Sequence, residues 1–396
     1  MRLIEFIYKK YFSGISRNTI LLALSSFFSD VSTEMLYPVL PIFLTQTLKS
    51  GGSVVGIIEG VAEATKNIIQ GFSGSLSDKI QKRKPIAVAG FIFSALAKPL
   101  IGVSTAWQGV LTARFLDRLG SGSRSAPRDA LIAASVSEEN RGKAFGLEGI
   151  GDNLGAFIGP LIAVGLLFVF YLDIRFIFYL AFIPGLLAVL MVLLVKEKRV
   201  DVQVKAKLDV GLSSFPKEYW KYLLVIAIFG IGNSSNAFLI LQTRNIGVPL
   251  IATIFIYAIY NLVAALISYP SGSLSDKFGR KPLLLASFFI FLITYLGFSF
   301  ISNIAIITLL FVFYGLYHGI FRTVGKSLAT DLVPAHLRAS GVGWYSTTIG
   351  LSAFIASIVA GQLWDKVGHT SVFIFGAMSA LSGIAALLFL VPAKEK

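Results

Sequence analysis

Two pairs of charged residues stand inside long apolar stretches of the sequence. Asp30 and Glu34 are one helical turn apart, and so are Arg114 and Arg118, a spacing that places both members of a pair on one helix face. A charge inside an apolar region is costly and needs a partner. At about 1.5 Å per residue, Glu34 shares one depth with Arg114, and Asp30 shares the next with Arg118. The spacing predicts a ladder of buried ion pairs.

A carboxylate in such a ladder can carry a proton, because burial and a nearby guanidinium change its proton affinity in opposite directions. Together they can bring the group into the range near neutral pH that proton transfer needs. We expect Glu34 to be the proton-binding residue, with Asp30 as the next candidate. A purely structural ladder is the alternative.

The motifs of common membrane hydrolases and ATP-driven proteins are incomplete or missing. Residues 149–152 (Gly-Ile-Gly-Asp) spell the GxGD motif of intramembrane aspartyl proteases, but the sequence has no Tyr-Asp pair for the second catalytic aspartate. It also has no Gly-x-Ser-x-Gly, no His-Glu-x-x-His and no complete phosphate-binding P-loop. We therefore expect neither an enzyme nor an ATP-driven protein, and no cofactor or metal site, with protons as the coupling ion.

The composition predicts an all-α integral membrane protein. Hydrophobic residues make up 55% of the chain and charged residues 14%, whereas soluble domains have about 25% charged residues. Twelve apolar runs are each near or above the ~20 residues that a transmembrane helix needs. They span 19–45, 54–76, 85–104, 107–132, 144–170, 175–195, 221–243, 250–272, 282–301, 304–330, 341–363 and 371–392.

Basic residues give the chain a net charge of +14 and cluster in alternate connections between the runs. This asymmetry is typical of loops on the cytoplasmic face, so we expect a multi-pass protein of the cell membrane with both termini in the cytoplasm. Nucleic-acid binding is not expected, because no basic–aromatic module lies outside these loops. The absence of cysteine excludes disulfides and thiol chemistry.

A short segment recurs at the midpoint of the chain. "GSLSDK" occurs at 74–79 and again at 272–277, which is 198 residues later in a chain of 396. A parallel duplication of six-helix halves is a known plan of transporters. The predicted organisation is a cytoplasmic amphipathic N-terminus (1–18), a six-helix half (19–195), a cytoplasmic linker (196–220), a second half (221–392) and a tail (393–396).

The repeated segment resembles the signature loop of the major facilitator superfamily, Gly-x-Leu-x-Asp-basic-x-Gly-basic-basic. Other stretches resemble the twelve-helix drug–proton antiporter branch of that superfamily. These are "YPVLP" at 37–41, Arg114 in the fourth helix, an acid-x-x-x-Pro pattern from Glu34 to Pro38, and a fifth-helix pattern. The fifth-helix pattern consists of Gly146, Gly155, Gly159 and Pro160.

The resemblance implies two pseudo-symmetric halves that rock around a central cavity. It also implies a gate on the cytoplasmic side, in which Asp78 docks on the start of the eleventh helix and Asp276 on the start of the fifth, while the fifth-helix glycines seal the halves. Glu148 and Asp152 are expected to pair with the cytoplasmic arginines Arg124 and Arg128. The other predicted gate residues are Lys79, Arg83, Lys277, Arg280 and Lys326.

Polar residues on the first, seventh and tenth helices are the candidates for the substrate cavity: Tyr37, Asn233, Ser234, Asn236, His318 and Arg322. The expected function is proton-coupled export of small organic molecules by antiport. The alternative is proton-coupled uptake of an organic anion or a metal chelate, since the cavity arginines suit an anion, and lipid translocation is a third possibility. The expected partners are the substrate and the lipid bilayer, and the protein is expected to function as a monomer.

Overall fold

The computed structural model describes residues 14–80, 82–197, 215–334 and 337–391, with the backbone alone for 74–80, 138 and 339. These residues form helices without strands. The N-terminal half contains α1 (Arg17–Leu36), α2 (Leu40–Ile42), α3 (Gly52–Ile80), α4 (Arg83–Val103), α5 (Trp107–Ala134), α6 (Arg141–Phe168), α7 (Ile174–Leu180) and α8 (Phe182–Leu193). The C-terminal half contains α9 (Lys217–Gly230), α10 (Asn236–Asn245), α11 (Leu250–Phe278), α12 (Arg280–Phe300), α13 (Ile304–Asp331), α14 (Arg338–Lys366) and α15 (His369–Leu390).

The described helices line up as twelve rods, as the sequence predicted, but three of the rods are interrupted. In the first, Pro38 and Pro41 lack the N–H groups that would continue the helix, and the chain turns at 37–39 before α2 and a π-helical turn, Phe43–Thr47. The sixth rod breaks at Ala181. The seventh breaks before Ser235, whose hydroxyl caps α10 by accepting a hydrogen bond from the Ala237 N–H (3.2 Å). The apolar runs at 19–45, 175–195 and 221–243 therefore contain breaks that the sequence analysis did not predict.

Nine of the twelve rods in the described part of the chain are long and apolar enough to cross a membrane. The other three are α3, α5 and the broken rod α9–α10. Both α3 and α5 carry several charges, and α9 and α10 are 14 and 10 residues long. These rods are connected through buried polar contacts, because Glu59 of α3 pairs with Arg114 of α5 and accepts a hydrogen bond from Ser235 at the start of α10.

Two long helix pairs join the halves, α3 with α14 and α6 with α11, and the short α2 also contacts α10. We call the end of the bundle where the halves are linked the linker side, and the opposite end, where α1–α2 leads into α3, the far side. Most of the predicted N-terminal segment (1–13 of 1–18), most of the predicted linker and the C-terminal tail lie outside the described residues.

The glycines of α6 pack within the N-terminal half. A Cβ atom on Gly155 would lie 2.5 Å from the Phe27 carbonyl oxygen, and one on Gly159 would lie 2.9 Å from the backbone of α1, whereas Gly146 has open space around it. The expectation that these glycines seal the two halves was therefore wrong: they allow α6 to approach α1 closely. The contact of α6 with the other half lies on a different face, where the Asn261 side chain donates to the Ala156 carbonyl (3.0 Å).

Candidate functional site

Asp117 is the centre of a buried charge network in the N-terminal half. Its carboxylate accepts hydrogen bonds from Lys98 Nζ (2.6 Å), Arg114 Nη1 (3.2 Å) and Ser94 Oγ (2.5 Å). Lys98, Arg114 and Asp117 are at most 1% exposed. The sequence offered no partner for Lys98 and gave no role to Asp117. The signal was present, because every intramembrane charge requires a partner and these residues stand on neighbouring helices.

Arg114 pairs with Glu59 of α3, with Nη2 to Oε1 at 2.7 Å, and not with Glu34. Arg118 approaches Asp117 at 3.9 Å and does not pair with Asp30. The predicted ladder was therefore wrong. Helical rise gives the depth of a residue but not the direction in which its side chain leaves the helix, and the arginine face of α5 is turned toward α3 and α4.

A cluster of hydroxyl groups closes the centre of the molecule toward the far side. The hydroxyl groups of Tyr37 and Ser235 lie 3.1 Å apart, and the two residues are 198 positions apart in the chain, so they are equivalents in the duplication. Ser235 Oγ also donates to Glu59 Oε2 (3.3 Å). The Tyr37 ring stacks on Tyr257 with centroids 5.6 Å apart. This cluster, formed by Tyr37, Glu59, Ser235 and Tyr257, joins the halves.

Glu34 also bridges the halves, through partners that the sequence did not indicate. Its Oε2 atom accepts hydrogen bonds from the Tyr257 hydroxyl (3.0 Å) and the Asn261 amide (3.4 Å), both on α11. Within the described residues, Glu34 forms no ion pair. Asp30, one turn away, interacts electrostatically with Arg124, Arg128 and Asp152. Of the two acids, only Glu34 contacts the other half.

Toward the linker side, Arg128 is the hub of a second ionic cluster. It pairs with Glu148 (2.8 Å) and lies 3.8 Å from Asp152, as the sequence predicted. Arg124 differs from the prediction, because it donates to the Ser29 hydroxyl (2.5 Å) and covers the Phe91 ring (4.3 Å). This cluster ties α5 to α1 and α6 within one half.

The signature loop of the C-terminal half is not docked on α6. Asp276 pairs with Arg280 one turn later (2.8 Å), and its side chain is 66% exposed; Arg280 also pairs with Asp331 (3.0 Å). The predicted contact of Asp276 with the start of the fifth helix is thus absent from this conformation. Lys277 lies against the Phe278 ring (5.4 Å). The side chains of Asp78 and Lys79 lie outside the described residues, and Arg83 begins α4, where Glu197 accepts from its backbone N–H (2.8 Å).

Three predicted cavity residues of the broken seventh rod, Asn233, Ser234 and Asn236, contact residues of their own half. Both ends of the Asn236 amide are used, by Tyr260 (3.0 Å) and Tyr314 (2.8 Å). Ser234 lies 3.4 Å from the Tyr295 hydroxyl, and Asn233 forms part of the turn before α10. His318 packs near the Tyr260 ring (5.7 Å). Among the predicted cavity residues, Tyr37, His318 and Arg322 interact with residues of the other half.

The sequence pattern of the Major Facilitator Superfamily matches residues 22–243 and 222–396. The chain belongs to this superfamily. It is 35% identical over 385 residues to an uncharacterized MFS-type transporter of Methanocaldococcus jannaschii, with 95% of each chain covered. It is 24% identical over 342 residues to the multidrug resistance protein MdtH of Citrobacter koseri, covering 84% of this chain and 82% of that one. The crystal structure of the nucleoside transporter NupG has the same fold (TM-score 0.78, 16% identity, 96% of this chain and 100% of that one).

This member of the superfamily is therefore a multi-pass membrane transporter whose halves are in contact on the far side, while the side chains of Asp276 and Arg322, nearer the linker side, are exposed. The closure on the far side includes Asp365, at the end of α14. Its carboxylate accepts hydrogen bonds from the N–H groups of Gly52 (2.7 Å) and Ser53 (2.8 Å) and from the Ser53 hydroxyl (2.6 Å), at the first turn of α3. A carboxylate is stabilised at a helix N-terminus, and here the helix and the acid belong to different halves. We call this contact the far-side clamp.

Sequence reasoning missed the clamp, although a signal existed. "LWDKVG" at 363–368 repeats the spacing Leu-x-Asp-Lys-x-Gly of "LSDKFG" at 274–279. In this MFS transporter, the same short pattern therefore stands at the linker-side end of α11 and at the far-side end of α14. The far-side copy is docked in this conformation and the linker-side copy is not.

Replacing Asp365 by Ala should make the transporter open more readily on the far side. A hydrogen bond to a charged group contributes about 1.5–3 kcal/mol, but Asp365 is exposed and water weakens its bonds. We therefore expect the three bonds together to contribute about 1.4 kcal/mol, which corresponds to about tenfold in population. The chain has no cysteine, so Ser357→Cys, at a fully buried position beside Ser235, would be the single thiol. We expect a membrane-impermeant maleimide to label it at least about tenfold faster when Asp365 is Ala.

Asp173→Ala is the matched control, because Asp173 is an exposed far-side aspartate that caps α7 within its own half (2.8 Å to the Arg175 N–H). It should leave the labelling rate unchanged. Equal rates in the Asp365 and Asp173 variants would show that the clamp does not hold the far side closed.

Proposed function

We propose that this transporter moves small organic molecules by proton-coupled alternating access, with Glu34 as the proton-binding residue. One observation carries the proposal: the Glu34 carboxylate, in the N-terminal half, accepts hydrogen bonds from Tyr257 and Asn261 of the C-terminal half. A group that gains and loses a proton thus lies directly in a contact between the two moving bodies.

Protonation changes this contact for a simple reason. An ionised carboxylate is an acceptor only, and it forms stronger hydrogen bonds than a neutral acid. A proton on Glu34 therefore weakens its bonds to α11 and frees the halves to rearrange. The other charges near Glu34 are Asp30 on its own helix, Arg118 on α5 and Lys66 on α3.

Export by antiport is the first candidate for the direction of transport. The branch motifs at 37–41 and on α6 and the similarity to MdtH support it. If the basic linker side is cytoplasmic, as the charge distribution suggests, the open cavity faces the compartment from which an exporter takes its substrate. Under this proposal the protein lies in the cell membrane with both termini in the cytoplasm.

Uptake of an organic anion together with a proton is the second candidate, and a specific feature favours it. The central network contains three cations (Lys98, Arg114 and Arg118) and two anions (Asp117 and Glu59). Its net charge is therefore +1. An ionised Glu34 balances that charge and a protonated Glu34 does not. A bound proton would then raise the affinity for the anion, and a bound anion would raise the affinity for the proton. Cotransport requires this positive coupling.

Proton movement in membrane vesicles tests the proposal and separates the two directions. In inverted vesicles with an acidified interior, an antiporter should release protons from the interior when its substrate is added. In right-side-out vesicles without a gradient, a cotransporter should carry protons inward with its substrate. Vesicles without the protein are the control. A compound that this protein transports at equal rates with and without a proton gradient, and that moves no protons, would overturn proton coupling.

A further inference from the structure

Arg118 is a nearly buried guanidinium that has no hydrogen bond in the described part of the chain. Its side chain is 7% exposed, its one charged contact is Asp117 at 3.9 Å, and its Nε atom is buried without a partner. Arg114, one turn earlier, pairs with both Glu59 and Asp117. An unsatisfied charged donor in a buried place is costly. Such a group would be stabilised by an acceptor that a ligand supplies.

The surroundings of Arg118 favour a negative ligand. Besides Asp117, it interacts electrostatically with Glu63 and Glu59. Glu59 is already paired with Arg114, and the nearest opposite charge to Glu63 is Lys66, which follows it on the same helix. Apart from Glu34, the acids near Arg118 are therefore shared with other cations, and the guanidinium has an unmatched positive charge when Glu34 is protonated.

The opposite wall of the cavity is also positive. Arg322 of α13 is exposed, and it interacts electrostatically with Lys66 and His318, which places it between the halves and not against lipid. Along α11 and α13 the only acids are Asp276 and Asp331, at or near the linker-side ends. Positive groups of the two halves, Lys66 and Arg322, are therefore close enough to repel each other.

We propose that the transported substrate is an organic carboxylate that binds at Arg118, and that Arg322 closes on it when the halves approach on the linker side. Guanidinium groups bind carboxylates through two parallel hydrogen bonds. The carboxylate satisfies the free donors of Arg118 and cancels the repulsion between Arg322 and Lys66. It thereby permits the linker side to close. The proposal rests on the proposed transport function and names the substrate class of that same cavity.

Ligand binding to the purified protein, at constant pH and without a membrane gradient, tests the proposal. The probes are acetate, benzoate and decanoate, each compared with its neutral amide, and the readout is affinity by calorimetry or ligand-induced thermal stabilisation. At least one carboxylate should bind more tightly than its amide, by about tenfold or more. Arg118→Gln and Arg322→Gln should each remove that preference. Arg338→Gln is the control, because Arg338 is an exposed linker-side arginine at the start of α14.

Two further outcomes keep the test decisive. Arg322 is exposed, so the Arg322→Gln variant should fold even if the Arg118→Gln variant is unstable. Loss of the carboxylate preference in Arg322→Gln supports the proposed carboxylate site. Glu34→Gln removes a negative charge near Arg118 and should tighten carboxylate binding several-fold. The proposal is overturned if no carboxylate binds more tightly than its amide, or if both arginine variants keep the preference. Neither result depends on proton movement, so a failure of proton coupling in vesicles would be seen separately.

Discussion

Glu34→Gln should abolish uphill transport while substrate binding persists. The amide oxygen of Gln can still accept from Tyr257 and Asn261, so the contact between the halves is kept, but the side chain can no longer bind and release a proton. Vesicles with this variant should equilibrate substrate but not concentrate it against a gradient. Exchange of labelled for unlabelled substrate should continue, because exchange requires no net proton transfer.

Asp30→Asn is the matched control for this experiment. It makes the same change of charge one turn away on α1, yet Asp30 contacts no residue of the C-terminal half in the described structure. This variant should remain coupled. If Glu34→Gln concentrates substrate with the pH dependence of the parent protein, Glu34 is a structural acid, and Asp30 becomes the next candidate.

Asp117→Asn should destabilise the protein by about 3–5 kcal/mol, the usual effect of removing one partner from a buried ion pair. The reason is the number of cations that depend on this carboxylate. Lys98 lies at 2.6 Å, Arg114 at 3.2 Å and Arg118 at 3.9 Å, and all are nearly buried. The free energy of unfolding in detergent, from denaturant titration, measures the effect.

Asp129→Asn is the control on the same helix. Asp129 also pairs with an arginine (Arg128, 2.9 Å), but its side chain is 45% exposed, and such pairs contribute about 0–1 kcal/mol. Combining Asp117→Asn with Lys98→Met should recover part of the loss, since one uncompensated cation is then removed. Equal stability of the two single variants would show that the network does not hold α4 and α5 together.

The fold was predictable because its signals are local or repeated. Apolar runs of membrane length gave the number of rods, and the repeat of "GSLSDK" gave the two halves; the structure and the superfamily match confirm both. The breaks at Pro38 and before Ser235 were less evident, because an apolar run does not reveal where a helix is interrupted. Their significance depends on the contact between the two breaks, which only the assembled structure shows.

The site was only partly predictable. Its charges could be listed from the sequence, but their pairing depends on how each helix is rotated about its axis. Arg114 faces Glu59 and not Glu34 for this reason. Tyr257 and Asn261 carry no charge and follow Glu34 by more than 220 residues, so no sequence pattern connects them to it. In contrast, the pairing of Arg128 with Glu148 and Asp152 was predicted from the sequence, because these charges lie on helices that are adjacent in the chain.

The far-side clamp also affects how strongly the transporter binds the same solute from each side of the membrane. A solute that arrives from the linker side can bind without breaking this contact. One that arrives from the far side can bind only to the fraction of molecules in which Asp365 has left α3, and its apparent dissociation constant is the intrinsic constant divided by that fraction. Each ~1.4 kcal/mol by which the clamp favours closure thus weakens apparent affinity from the far side about tenfold. The three hydrogen bonds of the clamp lie far from the cavity. They nevertheless give one binding site different apparent affinities for solute from the two compartments.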